Sequence, residues 1–503
     1  MSSPVFDILK QLITYDKSLV QPVYIQVAQQ FINAIQRGYI EKGTKLPGTR
    51  ALASLLKVHR NTAVAIYDEL ASQGWVDIIA NKGTFVLVPE QTSAAIKATA
   101  QKVNQAYNYP EAAGFPFQTS FHLASTQEDT SAKYKISDGQ PDFRLHPVYQ
   151  FSRWYTATMK RKSLQHKFQR TDTSETSTFK IQLSNFLNAT RGFRISSQNI
   201  LSTRSTEMSL FIVSQLLIKK GDIVLVGELS HYSSNTIFQE AGATIKTIPI
   251  DDEGLDVDYI RTHFLKNKIR CVYVSAHRHY PTTSTLSAER RLKLLQLARE
   301  FGFAIIEDDF DYDFQFEGSA MLPMSTADSD GMVIYLGKMG QSLFPSFQTG
   351  FVIAPRNLIS EANNYLKLLD QQGDVIQEQI LSELISEGEI YRLLKKNIIT
   401  YKERLDWLCD CLDESFNGII NYQRPSGGLA IWLEFIEPIS LVKFAEEAKK
   451  LDVFLPKTIL YQDKNTCAIR FGFGQLNKEE ISEVVKKLKS TYLRQADKLL
   501  KYT

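Results

Sequence analysis

The segment Tyr335-Leu-Gly-Lys-Met-Gly-Gln-Ser-Leu-Phe-Pro-Ser-Phe-Gln-Thr-Gly-Phe351 holds the most telling set of chemically capable side chains in this sequence. Lys338 carries a primary amine, the group that condenses with an aldehyde to an imine. Gln341 and Gln348 carry carboxamides, whose nitrogen lone pair is delocalised into the carbonyl and cannot do so. Asp308 ends the apolar run Phe303-Ala-Ile-Ile-Glu-Asp308, and the carboxyl ends of such strands are where α/β sheets present ligand-binding groups. His277 and His279 would share one side of a strand, but no third ligand is near them in sequence, so no metal site is expected. Cys271, Cys409, Cys411 and Cys467 form no Cys-x-x-Cys pair and read as free thiols in a reducing compartment.

Size and composition bound what these residues can belong to. A chain of 503 residues is too long for one ordinary core and predicts at least two domains. Hydrophobic content of 43% and charged content of 22% are those of a soluble globular protein. A net charge of +3 selects neither nucleic acid nor membrane as a partner, and residues 1–90 are only mildly basic. No stretch reaches the roughly 18 apolar residues of a membrane span. Asp7 and Lys10 interrupt the short apolar run at the start, which does not read as a secretory signal, so the expected location is cytoplasmic.

The elements that must position these groups fall into two parts. In residues 18–90, Tyr24, Val27, Ala28, Phe31 and Ile35 recur at helical spacing, and Gly38 stops that helix. Leu46-Pro-Gly-Thr-Arg50 opens a second helix with an apolar face of Leu52, Leu55 and Leu56. Lys57-Val58 turns into a third helix from about Arg60 to Gln73, with Ala63, Tyr67, Leu70 and Ala71 inward. Trp75 to Leu87 alternates as a hairpin around Asn81-Lys82-Gly83. Three helices and a hairpin make an α+β winged helix-turn-helix.

This stretch resembles the GntR-type DNA-binding domain, through Tyr24, Gly43, Leu46-Pro47, Arg50, Leu52-Ala53, Val58, Arg60, Thr62, Tyr67, Leu70, Gly74 and Gly83-Thr84-Phe85-Val86. In such folds the third helix enters the major groove N-terminus first, which places Arg60, Asn61 and Thr62 at base edges or phosphates of a double-stranded operator. Arg50 would meet phosphate at a helix start, and Lys82, Gly83 and Thr84 belong to the wing. His59 stands where the family has serine, which leaves that helix cap in question.

Residues 91–133 lose regular alternation and read as a linker. From 134 to 503, apolar strands at 222–227, 271–276, 303–308, 332–337 and 350–355 alternate with helices such as Ser287 to Glu300, on a Leu292, Leu295 and Ala298 spacing. That pattern predicts an α/β core with a mainly parallel sheet, followed by a smaller C-terminal lobe from roughly 375. Asp138-Gly-Gln-Pro-Asp142, Gly221-Asp222, Glu228-Leu-Ser-His-Tyr232, Tyr280-Pro281, Glu307-Asp-Asp-Phe-Asp311 and Arg470-Phe-Gly-Phe resemble fold-type I aminotransferase motifs. With the domain in front, the chain resembles the MocR-like subfamily of GntR regulators.

The resemblance implies a pyridoxal-phosphate site with several members changed. Tyr335, Gly337, Leu343, Pro345 and Gly350 keep the spacing of the lysine motif, but Gln341 stands in place of the Schiff-base lysine and Gln348 in place of a phosphate-binding arginine. Tyr232 matches the ring-stacking aromatic and Asp308 the pyridinium partner, while Phe310 replaces a tyrosine. Ser205 replaces a phosphate-turn glycine, Glu207 with Met208 replaces a glutamine pair, and Glu175 replaces a small glycine. Arg470 matches the substrate-carboxylate arginine and is the candidate for an effector carboxylate, with a structural ion pair as the alternative. Lys338 reads as an anion contact or a partner for Asp308; Asp308 is expected to pair with Lys338 or Arg204.

The expected function is a transcriptional regulator, not an enzyme: no catalytic residues, no covalent cofactor, a homodimer that the linker would permit to be head-to-tail, and an unidentified small-molecule effector. The alternative is a pyridoxal-phosphate-dependent enzyme or regulator that holds the cofactor non-covalently or through Lys338. Lys338 starts roughly 10 Å along an extended strand from the usual lysine. Whether the pocket is open or filled by Phe310, Met208 and Phe344 is left to the structure.

Overall fold

The computed structural model describes residues 13, 15, 22–36, 40, 43–72, 75–79, 82–87, 114–116, 128, 130–145, 148–160, 177–264, 269–318, 321–340, 347, 349–371, 373–463 and 466–500. Most of the expected linker, together with Glu175, Gln341, Phe344 and Gln348, lies outside them. The chain divides into one unit of Met1–Lys135, Glu434–Ile469 and Lys487–Thr503, and another of Ile136–Leu433 and Arg470–Lys486.

In the first unit, α1 (Val23–Gln36), α2 (Thr49–Leu56) and α3 (Arg60–Ser72) precede a hairpin of β1 (Val76–Ile79) and β2 (Gly83–Val86). The helices form because their apolar residues recur one turn apart: Val27, Phe31 and Ile35 on α1, Leu52 and Leu56 on α2, Ala63, Ile66, Tyr67 and Leu70 on α3. These side chains build one core, which Trp75, Val76 and Val86 close from the hairpin and Val442 also joins. Lys57, at φ 53°, ends α2 in the left-handed conformation and makes the tight turn into α3. The hairpin pairs Val76 with Val86 and Ile79 with Gly83 in antiparallel register.

The second unit is built on a seven-stranded sheet. Its strands are β3 (Ile200–Thr203), β4 (Ile223–Gly227), β5 (Thr244–Ile248), β6 (Ile269–Val274), β7 (Ala304–Asp309), β8 (Val333–Met339) and β9 (Thr349–Ile353), in spatial order β3-β9-β8-β7-β6-β4-β5. Pairings among β8, β7, β6, β4 and β5 are parallel, while β9 runs antiparallel to both β8 and β3. Both faces of this sheet are buried. On β6, Val272 and Val274 enter one apolar cluster while Cys271 and Tyr273 enter the other. That double burial explains why the strands read as unbroken apolar runs.

The helices that matter for the site are α4 (Thr178–Arg191), α5 (Thr206–Leu217), α6 (Tyr232–Glu240), α7 (Ala288–Phe301), α8 (Arg356–Leu369) and α9 (Val375–Ser386). α7 departs from its expected face. It buries Arg291, Leu294, Leu295 and Ala298, whereas Leu292 is 63% exposed on the other side of the stripe. Cys271, Cys409 and Cys467 are buried as free thiols.

A buried polar network ties α4 to the middle of the sheet. The Arg191 guanidinium, at the end of α4, donates to the Tyr335 hydroxyl and, at 2.9 Å, to Asp313 Oδ1. Tyr335 in turn donates to Asp309 Oδ2 at 2.8 Å, and His277 Nδ1 lies 3.4 Å from the same oxygen. Burial alone would raise the Asp309 pKa, but His277, Arg191 and the Tyr335 hydroxyl together hold it at about 2. Tyr335→Phe leaves Asp309 and Arg191 each short of a buried partner. It is expected to lower stability by about 2 kcal/mol, seen as a reduced urea midpoint.

Candidate functional site

The candidate nucleic-acid face of the first unit is made by the starts of two helices and the hairpin turn. His59 Nδ1 accepts from the Asn61 backbone N–H at 3.3 Å, so the imidazole takes up the cap that serine would have made. Arg60 and Asn61 are exposed on the first turn of α3, with Thr62 half-buried beside them. α2 begins after Gly48 with no side-chain cap, which leaves first-turn amides without a side-chain acceptor where the exposed Arg50 emerges. Lys82 is exposed in the hairpin turn. Arg50, Arg60 and Lys82 make no ion pair among the described residues.

Two wing residues differ from expectation. Thr84 is only 8% exposed, because its position on β2 turns the side chain into the core. Gly83 is half-buried at φ +118°, a conformation for which glycine is suited. Sequence reasoning passed over Lys45, which is exposed with its ammonium 5.8 Å from the Phe85 ring centre and adds a cation beside the wing.

In the second unit, the carboxyl ends of the parallel strands and the starts of α5 and α6 converge on a cavity of about 140 Å³. Asp308 from β7, Lys338 from β8, Tyr273 from β6, Glu207 from α5 and His231 ahead of α6 all line it. Phe310 lines the wall and leaves the cavity open, while Met208 packs against the adjacent apolar cluster. Tyr232 was expected to be the aromatic of this site. It instead stacks on His231, with ring centres 5.8 Å apart, and it is His231 that lines the cavity.

Asp308 is 8% exposed and forms no ion pair among the described residues, contrary to the expected pairing. Its Oδ2 accepts from the Tyr273 hydroxyl at 2.5 Å, and that hydroxyl accepts from Ser234 Oγ at 3.0 Å. Its Oδ1 is buried with no hydrogen-bond partner among the described residues. Arg204 does not reach it; that guanidinium bonds Asp370 and lies 3.9 Å from Asp374. Lys338 acts on Asp308 through charge without forming an ion pair. Burial raises the Asp308 pKa to about 6, partly offset by the Tyr273 hydrogen bond and by Lys338.

The neighbouring groups are committed elsewhere. Asp311 pairs with Arg278 at 3.1 Å. His279 Nε2 meets the Leu229 carbonyl at 2.7 Å, and His277 meets the Met321 carbonyl, so the two histidines do not converge. Arg470 is 2% exposed and donates to the carbonyls of Asp138 and Pro281, each at 2.8 Å, with its guanidinium 4.5 Å from the Tyr280 ring centre. No carboxylate of the described residues pairs with it, so the structural ion pair is not what holds it.

Pyridoxal phosphate fits one end of this site and not the other. The free Oδ1 of Asp308 would accept the proton of a pyridinium nitrogen. At the phosphate end, the first turn of α5 carries Glu207 and the Ser205 hydroxyl already accepts from the Met208 N–H. With Arg204 turned onto Asp370, no guanidinium of the described residues faces a phosphate there. A dianion there would meet the Glu207 carboxylate beside the Thr206 hydroxyl and the Lys338 side chain, with no arginine of the described residues to grip it.

The raised pKa of Asp308 fixes the sign of a pH effect. Protonated Asp308 is favoured in the folded state, so the cost of its ionised form is absent at low pH, builds as pH rises from about 4 to about 6, and is constant above. A shift of this size is worth about 3 kcal/mol. Asp308→Asn is expected to melt above the parent at pH 8, with the gap shrinking as pH is lowered through 6 towards 4.5, measured by scanning calorimetry.

Comparison with known proteins finds two family matches along the chain. Residues 23–86 match the family "Bacterial regulatory proteins, gntR family", and residues 132–488 match "Aminotransferase class I and II". The probable rhizopine catabolism regulatory protein MocR of Rhizobium meliloti is 25% identical over 404 residues, 78% of each chain. The HTH-type transcriptional regulator TauR of Rhodobacter capsulatus is 23% identical, covering 81% of this chain and 83% of its own. Among solved structures, Pyrococcus horikoshii kynurenine aminotransferase superposes with a TM-score of 0.66 at 23% identity, over 73% of this chain and 92% of that one. The chain belongs to the aminotransferase class I and II family, in the MocR-like arrangement that places a GntR domain ahead of the aminotransferase domain.

Proposed function

We propose that this protein is a sequence-specific, DNA-binding transcriptional regulator whose aminotransferase-like domain senses a small molecule, without a covalent cofactor and without catalysis. One observation carries the DNA reading: Arg50, Arg60, Asn61 and Lys82 stand exposed at two helix starts and a wing turn, with no ion pair to neutralise the cations among the described residues. Those are the points from which a winged helix-turn-helix reaches the major groove and its flanking phosphates. The naming of MocR and TauR as regulators supports the same reading. Loss of the covalent cofactor is supported by Gln341 in the lysine motif and by Glu207 at the phosphate end. We take the working form to be a cytoplasmic homodimer, since paired half-sites call for paired readers.

The roles divide by contact type. Arg60 and Asn61 supply base-edge readout, so Arg60→Ala is expected to weaken operator binding by roughly 1–3 kcal/mol and to relax specificity at one position. Arg50→Ala and Lys82→Ala should instead weaken binding evenly across sequences and each lower the salt slope by about 1. Band shifts over a salt series, on fragments from the gene's own neighbourhood, check both. Protein that shifts none of those fragments overturns the reading.

A second reading has one observation in its favour: Lys338 lines the same cavity as Asp308. If it formed an imine, added pyridoxal phosphate would give a visible absorbance that disappears in Lys338→Ala. The expected outcome is no such band in either protein.

A further inference from the structure

The exposed face of α3 is polar except at its middle. At about 100° per residue, Arg60, Val64, Asp68 and Asn61 fall within about 100° of arc, with Val64 about 40° from Arg60 and about 60° from Asn61. Ala63, Ile66, Tyr67 and Leu70 take the opposite side and are buried in the core. Val64 is 37% exposed and is not part of that core. A single exposed valine on an ordinary surface needs no explanation. This one stands between the two side chains assigned to base edges, one turn further along the helix.

The position suits an apolar group on a base edge. Among the donors and acceptors of the major groove, thymine presents a C5-methyl. Valine is β-branched and keeps one rotamer in a helix, so its methyls are fixed before contact and little side-chain freedom is lost on contact. From Arg60 to Val64 the helix rises about 6 Å, close to two base-pair steps of about 3.4 Å each. Asp68, one turn beyond, is exposed and makes no ion pair among the described residues. A carboxylate is repelled by the phosphate backbone, which concentrates readout by this face in the first two turns.

We propose that Val64 is a specificity residue of the reader, packing on the C5-methyl of a thymine within about two base pairs of the pair that Arg60 contacts. The assignment rests on the reading of the first unit as a DNA reader and names a chemical feature that its operator carries. It also accounts for an apolar side chain in the middle of a face that is otherwise charged or amidic.

The test uses the full-length protein and the segment it protects within fragments from the gene's own neighbourhood. Synthetic duplexes of that segment carry deoxyuridine, which lacks only the C5-methyl, in place of each thymine in turn. One replacement is expected to weaken binding by the parent about fourfold, the value of one buried methyl. Val64→Ala should bind the all-thymine duplex about fourfold more weakly than the parent and should no longer distinguish it from the deoxyuridine duplex. Its affinity for the deoxyuridine duplex should equal the parent's, which a misfolded reader would not show. A segment in which no thymine methyl affects the parent, or a methyl dependence that survives in Val64→Ala, overturns the assignment. Protein that shifts no fragment sinks the regulator reading itself, whereas specific binding without methyl dependence sinks this assignment alone.

Discussion

A carboxylate buried at the end of a central strand is the constraint on which the second unit's chemistry turns. Removing Asp308 from water costs several kcal/mol unless donors replace the lost hydration. The fold supplies one donor to Oδ2, the Tyr273 hydroxyl, itself placed by Ser234, and leaves Oδ1 without one. A fully apolar or fully paired residue would have been more stable there. β7 delivers the group to the sheet's carboxyl edge, where it lines the cavity.

The alternation of β7 explains how Asp308 is presented to the cavity without loosening the strand. Successive strand residues point to opposite faces, so Glu307 and Asp309 face away from Asp308. Glu307 accepts from the backbone of Met324 and Ser325, at 2.7 and 3.0 Å. Asp309 is fixed by Tyr335 within the Arg191 network. Three acidic residues in a row thus divide their work: two anchor the strand, and the middle one is offered to the cavity. Gly350 adds to the same rigidity, because a Cβ there would lie 2.4 Å from the Ser205 carbonyl, where β9 passes the start of α5.

What could be read beforehand follows physical lines. The five central strands were legible because burial on both faces makes apolar runs, and the reader domain because its helices bury residues one turn apart. The partner of Asp308 was not legible. Arg204 looked available from the local pattern, yet its carboxylate is Asp370, 166 residues away in the chain. Pairings of that kind depend on where α8 ends in space, which periodicity does not encode. His231 and Tyr232 show the same limit at finer grain: the N-cap position ahead of α6, one residue from the expected aromatic, faces the cavity. Gln341 and Gln348 are chemically plain in the sequence but lie outside the described residues.

The replacement of serine by His59 in the reader has a consequence that a hydroxyl cap would not. A ring nitrogen that accepts the Asn61 N–H must present a lone pair, so the proton of a neutral imidazole resides on Nε2. His59 is exposed, which leaves that N–H free to donate outward beside Arg60. A serine hydroxyl that accepts at the cap also keeps an O–H to donate, close to the backbone. The imidazole caps the helix with one nitrogen and carries its donor on the far side of the ring, further from the backbone. The substitution therefore keeps the helix start while setting its donor further out, so a departure from a family pattern need not change the fold.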